Sequence, residues 1–143
     1  MDDRAGDIQR QAIAASTWSD ALDACGIAGA LAGLAWRSGT PPMAGRAVTV
    51  REAVGPLGSV PRSAFDVAVI LGAAGPGQIL VVSMDGAEVS TCGGLAARAA
   101  AARGIEGVLI DGGCRDLAEI RATGLKVASR HVTPLSGKGR ARI

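Results

Sequence analysis

A chain of 143 residues, 48% hydrophobic and 20% charged, has the make-up of one folded domain and is too apolar for a disordered protein. A net charge of +2, with Lys138, Arg140 and Arg142 as the one basic cluster, leaves no electrostatic footprint for nucleic acid, and no direct nucleic-acid partner is expected. Three cysteines without a CxxC pair and a single histidine argue against a disulfide framework and a zinc site, and reduced thiols suit a cytoplasmic protein.

In chain order, residues 1–15 read as a polar extension at the start of a single domain covering 1–143. The opening MDDRAGDIQRQ is not a signal peptide, and the apolar runs are all too short to span a membrane. Thr17 or Ser19 is expected to cap a short helix carrying Asp20 in its first turn and stopping at Cys25-Gly26. The stretch 26–34 is too rich in glycine for a helix prediction, and Pro41-Pro42 closes it. Residues 46–51 predict a strand, 52–61 a loop and 63–71 a helix. After the turn Gly75-Pro76-Gly77, residues 78–83 predict a buried strand. An alanine-rich helix over 94–103 stops at Gly104, and a strand over 107–111 ends in Gly112-Gly113. A helix over 115–122 closes at Gly124, and 126–130 is a further strand. This alternation predicts an α/β fold with a mostly parallel central sheet flanked by helices. Trp18, Trp36 and Phe65 are the whole aromatic set. A core of small side chains buries little area each, so a subunit interface is expected to add to it.

Two segments carry residue types suited to chemistry. Asp111-Gly112-Gly113-Cys114-Arg115-Asp116 follows a buried strand, at the carboxyl end of the sheet where ligands of open α/β folds gather. Arg115 offers a planar fork for the oxygens of an α-keto acid, and Asp116 a hard oxygen for Mg2+. On these residues alone, a plain helix start with a solvated arginine is the simpler account. Cys92-Gly93-Gly94-Leu95-Ala96 enters the alanine helix, where amide N–H groups can hold a carboxylate. It has neither the spacing of a dinucleotide-binding fingerprint nor the Lys-Ser/Thr of a phosphate loop.

The two segments together form Gly94-x20-Arg115-Asp116-x2-Glu119, and this pattern resembles that of the RraA-like family, which includes the class II 4-hydroxy-4-methyl-2-oxoglutarate aldolases. Residues 17–23, 43–50, 107–116 and 132–134 fall in the family's order as well. The resemblance implies a swivelling β/β/α domain, C-terminally short. It also implies a metal-dependent pyruvate lyase that cleaves 4-hydroxy-4-methyl-2-oxoglutarate and decarboxylates oxaloacetate. Amides of Gly93, Gly94, Leu95 and Ala96 would hold the pyruvoyl carboxylate, and Arg115 would bind the keto oxygen and stabilise the enolate. Asp116 would hold Mg2+ or Mn2+, with Glu119 behind it as an orienting group. Lys126 and Lys138 are the only lysines, and no Schiff base is required. The resemblance further implies a homotrimer or hexamer. Its alternatives are a non-catalytic regulator that binds RNase E, or an inactive remnant.

Three departures from the family's pattern stand out. Gly94 replaces a carboxylate found in some relatives, Gln78 and Ser83 stand where aspartates are usual, and the chain stops at Ile143 where relatives continue with further strands. A methyltransferase role finds no support, since no nucleotide loop follows the first strand. His131 is expected to be structural, and Cys114 a small filler beside Arg115.

Overall fold

A computed structural model describes residues 13–143. Most of the expected N-terminal extension lies outside the described residues. Contacts divide the chain into two compact units, one ending at Gly33 and one spanning Leu34–Ile143.

The first unit holds helix α1 (Ala15–Ala24). The predicted cap is corrected here. The helix begins after Ala14 with no side-chain cap, and Thr17 and Ser19 lie inside it. Its stop falls where glycine predicts, with Gly26 at a φ of 71°.

The second unit is built on strands β1 (Ala35–Ser38), β2 (Ala47–Arg51), β4 (Ile79–Ser83), β5 (Ser90–Cys92), β6 (Gly107–Cys114) and β7 (Lys126–Val132). Two short strands, β3 (Ala53–Val54) and β8 (Ala141–Arg142), pair separately and antiparallel. The helices are α2 (Val67–Gly72), α3 (Gly94–Ala102) and α4 (Leu117–Ala122). The main sheet runs β1-β7-β6-β4-β2, parallel except for the antiparallel edge strand β1. This is the mixed α/β architecture that the alternating pattern predicts.

Register explains how a site arises. β4 pairs with β6 from Ile79↔Gly107 to Ser83↔Asp111 and then ends, while β6 runs on to Cys114. β5 fills the vacated place, pairing Ser90 with Gly113 and Cys92 with Cys114. Gly112 and Gly113 therefore do not form the expected turn. They are strand residues that let neighbours close in: a Cβ at 112 would lie 2.5 Å from Met84 Sδ, and one at 113 would lie 2.8 Å from the Val89 carbonyl oxygen. The core lies on the sheet's faces, where Leu80, Val82, Val108, Ile110, Ile120 and Val127 are almost or wholly sealed from water. Ala97 and Ala100 of α3 reach zero exposure, so small side chains here serve close packing.

Three further expectations are corrected. The predicted helix over 63–71 breaks at Phe65 into a short 3-10 turn (Arg62–Ala64) and α2, because Asp66 leaves helical geometry to accept the Ala68 amide as an N-cap. The predicted loop over 52–61 begins with a wholly buried Glu52 and the paired strand β3. The predicted helix over 115–122 starts only at Leu117.

Candidate functional site

Past the end of β4, the segments after β5 and β6 and the stretch after β7 converge. Arg115 N–H donates to the Cys92 carbonyl at 2.9 Å, Thr133 N–H to the Cys114 carbonyl at 3.0 Å, and Ser90 N–H to the Leu135 carbonyl at 2.7 Å. These bonds hold Arg115 and Asp116 beside the N-terminus of α3.

Asp116 adopts a left-handed backbone, φ 56° and ψ 46°, a conformation that aspartate tolerates better than most residues. It occupies the N-cap position of α4 yet makes no capping bond there. Its side chain instead turns across to α3, where Oδ2 accepts the Gly94 N–H at 3.3 Å and lies 3.5 Å from Arg115 Nε. The simpler account of Asp116, a carboxylate serving its own helix start, thus does not describe this residue. Both side chains keep more than two-fifths of their surface in solvent, so the pair is hydrated and open to a ligand.

Gly93 and Gly94 are required by this approach. A Cβ at 93 would fall 2.6 Å from Asp116 Oδ2, and one at 94 would fall 2.5 Å from Glu119 Cβ. Glu119 packs against the first turn of α3, 3.8 Å from Arg98. It lies behind the Arg115–Asp116 pair and outside the cavity lining. The amides of residues 94–96 occupy the first turn of α3, whose N–H groups have no acceptor within the helix.

A cavity of about 320 Å3 opens in front of this arrangement. Phe65, Leu71 and Ala96 contribute to its apolar wall. Arg115, Asp116, Gly93, Leu95 and Ala96 line it, so five of the predicted positions meet at one cavity; Gly94 lies buried just behind. The sequence reading missed Ser90, Thr91, Ser136 and Lys138, which add polar groups to the same cavity. Thr91 Oγ1 donates to Glu52 Oε1. Glu52 has no exposed surface, and its Oε2 has no hydrogen-bond partner among the described residues. Burial pushes its carboxyl above the ordinary value, while the Thr91 bond pulls it down.

The two cysteines near the cavity, Cys92 and Cys114, supply no nucleophile. Burial, reinforced by nearby Cys114 and Asp116, pushes the Cys92 thiol up to about 12, so it stays protonated near neutral pH. Cys114 is sealed, with its Sγ 3.3 Å from Ser129 Oγ. His131 Nε2 bonds the Gly86 carbonyl oxygen at 3.0 Å. Among the described residues, no three His, Cys, Asp or Glu side chains cluster as a metal cage, and no helix is long and apolar enough to cross a membrane.

Comparison with solved structures reproduces the fold. The chain is similar to an uncharacterized protein from Pseudomonas syringae pv. tomato, with a TM-score of 0.74 and 27% identity over 94% of this chain and 61% of the other. It is also similar to the RNA-processing inhibitor RraA from Thermus thermophilis (0.61, 27%, 87% and 75%). Streptomyces coelicolor RraAS2, described as an unusual member of the RNase ES inhibitor RraA protein family, shares the fold at 23% identity (0.74, 87% and 62%). The chain thus spans about three-fifths of the length of the Pseudomonas protein. No curated protein matches the sequence. The RraA-like (Aldolase/RraA) family model matches residues 15–143, and the chain belongs to that family.

Proposed function

We propose that this cavity binds an α-keto acid with a divalent cation, Mg2+ or Mn2+, and cleaves a carbon–carbon bond to leave pyruvate enolate. The observation that carries this reading is the behaviour of Asp116. Its carboxylate leaves its own helix and meets Arg115 and the start of α3 at the mouth of a cavity.

The donor set fits such a cation. Mg2+ keeps several waters and takes one or two carboxylates plus substrate oxygens, so a lone half-exposed Asp116 suits it better than a closed cage would. When bound, the cation supplies Lewis-acid stabilisation of negative charge on substrate oxygen. The first-turn amides of Leu95 and Ala96 receive the substrate carboxylate, while the Gly94 amide holds Asp116 in place. Arg115 donates to the keto oxygen and stabilises the enolate that forms as the bond breaks. Retro-aldol cleavage of 4-hydroxy-4-methyl-2-oxoglutarate and decarboxylation of oxaloacetate share that enolate, so one arrangement serves both. Glu119, packed behind Gly94, orients the platform.

Pyruvate release from both compounds, measured with Mg2+ and with EDTA, tests the proposal. Turnover should require the cation and fall at least about 100-fold in Arg115→Ala and in Asp116→Ala. A folded wild type without turnover would sink the lyase reading.

The Thermus relative is named an RNA-processing inhibitor, which favours a second reading, in which the chain acts as a regulator by binding a ribonuclease, RNase E being the one to test. Pull-down with RNase E, unaffected by Asp116→Ala, would support it. Either role suits a homo-oligomer, trimer or hexamer. Trp36 on the edge strand and Leu95, 81% exposed at the cavity, are apolar surfaces for subunits to cover.

A further inference from the structure

A lyase that leaves an enolate must also return a proton to carbon, and the residues of the proposed pyruvate chemistry do not include a donor. Arg115 stays charged throughout, and Asp116 is assigned to the cation. Three hydroxyl side chains line the cavity: Ser90, Thr91 and Ser136. Ser90 donates to the Cys92 carbonyl at 3.2 Å, and Ser136 Oγ accepts the Lys138 amide at 3.2 Å. Thr91 alone among them is bonded to a carboxyl group, that of Glu52.

Glu52 is an unusual residue to find there. It follows β2, its N–H donates to the Ser83 carbonyl at 2.9 Å, and no part of it reaches solvent. A carboxylate sealed from water that has, among the described residues, one oxygen unpartnered and no cation bonded to it is strongly disfavoured. The neutral acid is the form that such a place holds, in agreement with the direction in which burial pushes the group. A neutral acid carries a proton that it can give.

We infer that Thr91 and Glu52 form a proton relay into the cavity, Thr91 meeting the enolate and Glu52 resupplying its hydroxyl. This rests on the lyase reading and names the source of its last proton. As the Thr91 Oγ1–H bond breaks, a C–H bond forms at the methylene carbon of the enolate, giving pyruvate. In the neutral acid the proton lies on Oε1 and is donated to Thr91 Oγ1, the reverse of the bond that the charged carboxylate accepts, which frees the Thr91 hydrogen for the cavity. The Glu52 O–H bond breaks in concert, its proton passes to Thr91 Oγ1, and Glu52 is left as a carboxylate. Cavity water returns a proton to Glu52 through the same hydroxyl and is left as hydroxide, which combines with the released CO2 as bicarbonate or, in the aldol cleavage, takes up the proton of the substrate hydroxyl, so atoms and charge balance over the cycle. Run backwards, the relay removes a methyl proton from pyruvate.

The test is exchange of pyruvate methyl protons in D2O, followed by proton NMR on Mg2+-loaded protein beside oxaloacetate consumption. Wild type should exchange. Glu52→Gln and Thr91→Val should lose exchange by about 100-fold while oxaloacetate consumption falls far less. Thr91→Ser, which keeps the hydroxyl, should restore exchange. An infrared carbonyl band of a protonated carboxyl at neutral pH, absent in Glu52→Gln, reads the acid independently of turnover. Should Glu52→Gln fail to fold, Thr91→Val and Thr91→Ser carry the test. Undiminished exchange in folded Glu52→Gln or Thr91→Val, absence of the infrared band in wild type, or loss of exchange in Lys138→Met alone would each overturn the relay. A wild type that neither exchanges nor consumes oxaloacetate overturns the lyase reading and the relay with it. A wild type that consumes oxaloacetate but does not exchange pyruvate overturns the relay and leaves the lyase standing.

Discussion

Asp116 and Glu52 are both carboxyl groups near one cavity, and the fold treats them in opposite ways. Asp116 sits on a left-handed turn after the longest strand, with 43% of its side chain exposed, an arginine beside it and an amide N–H against one oxygen. Glu52 sits after β2, sealed, with a single hydroxyl for company. The wet carboxylate is open to water and can exchange it for a cation. The dry one keeps its proton. One functional group thus serves two tasks, and the division is made by surroundings alone.

Substitutions can break that contrast. The largest effect is expected at the wet group. Asp116→Asn keeps shape and tolerates the left-handed backbone, but it removes the charge, and pyruvate release should drop at least about 100-fold with no change in thermal midpoint. A change of less than about tenfold would mean that Asp116 does not hold the cation. Next comes the packing that brings the wet group to α3. In Gly94→Ala the added methyl meets Glu119 Cβ and pushes α3 from α4, at a cost of about 1–3 kcal/mol in urea denaturation. An unaltered unfolding midpoint would show that the two helices part freely.

The smallest effect belongs to the dry group and is read in pH. Because burial raises Glu52 above its ordinary 4.5, the folded chain keeps a proton that the unfolded chain has released. Its contribution to stability is therefore whole below about 4.5, declines as pH rises through the folded value, and is level above it. The slope is at most about 1.4 kcal/mol per pH unit. Glu52→Gln should remove this slope from a series of urea midpoints. A slope that survives the substitution would place the titrating group elsewhere.

How much of this was legible beforehand varies by element. β4, β6 and α3 stand out in the sequence because long apolar or alanine-rich runs start after a glycine turn or end in glycine, a local signal. β1 and β5 do not. Ala-Trp-Arg-Ser and Ser-Thr-Cys are short and mixed, and only their partners β7 and β6 make them strands. Gly112-Gly113 reads as a turn because glycine usually breaks strands, whereas here it admits Met84 and Val89. The Arg115-Asp116 pair and the Gly93-Gly94 entry are legible from their spacing. That Asp116 abandons its own helix is not, since the choice between a cap and a neighbouring helix is made by tertiary contact. Glu52 is the least legible. Nothing around Arg51-Glu52-Ala53 signals a sealed acid, because Thr91 and the strands that cover it come from distant parts of the chain.

β6 has neighbours along its whole length, with β4 on one side giving way to β5, and β7 on the other. Amide hydrogens in such a strand exchange with solvent only when the whole unit opens, unlike those of a surface loop. Arg115 and Asp116 follow immediately on that strand. The groups that would meet the substrate are therefore anchored to the part of the molecule that lets go last. Slow exchange at Gly113 and Cys114, moving in step with global unfolding as denaturant is added, would be the signature of a site that stays assembled in the free protein.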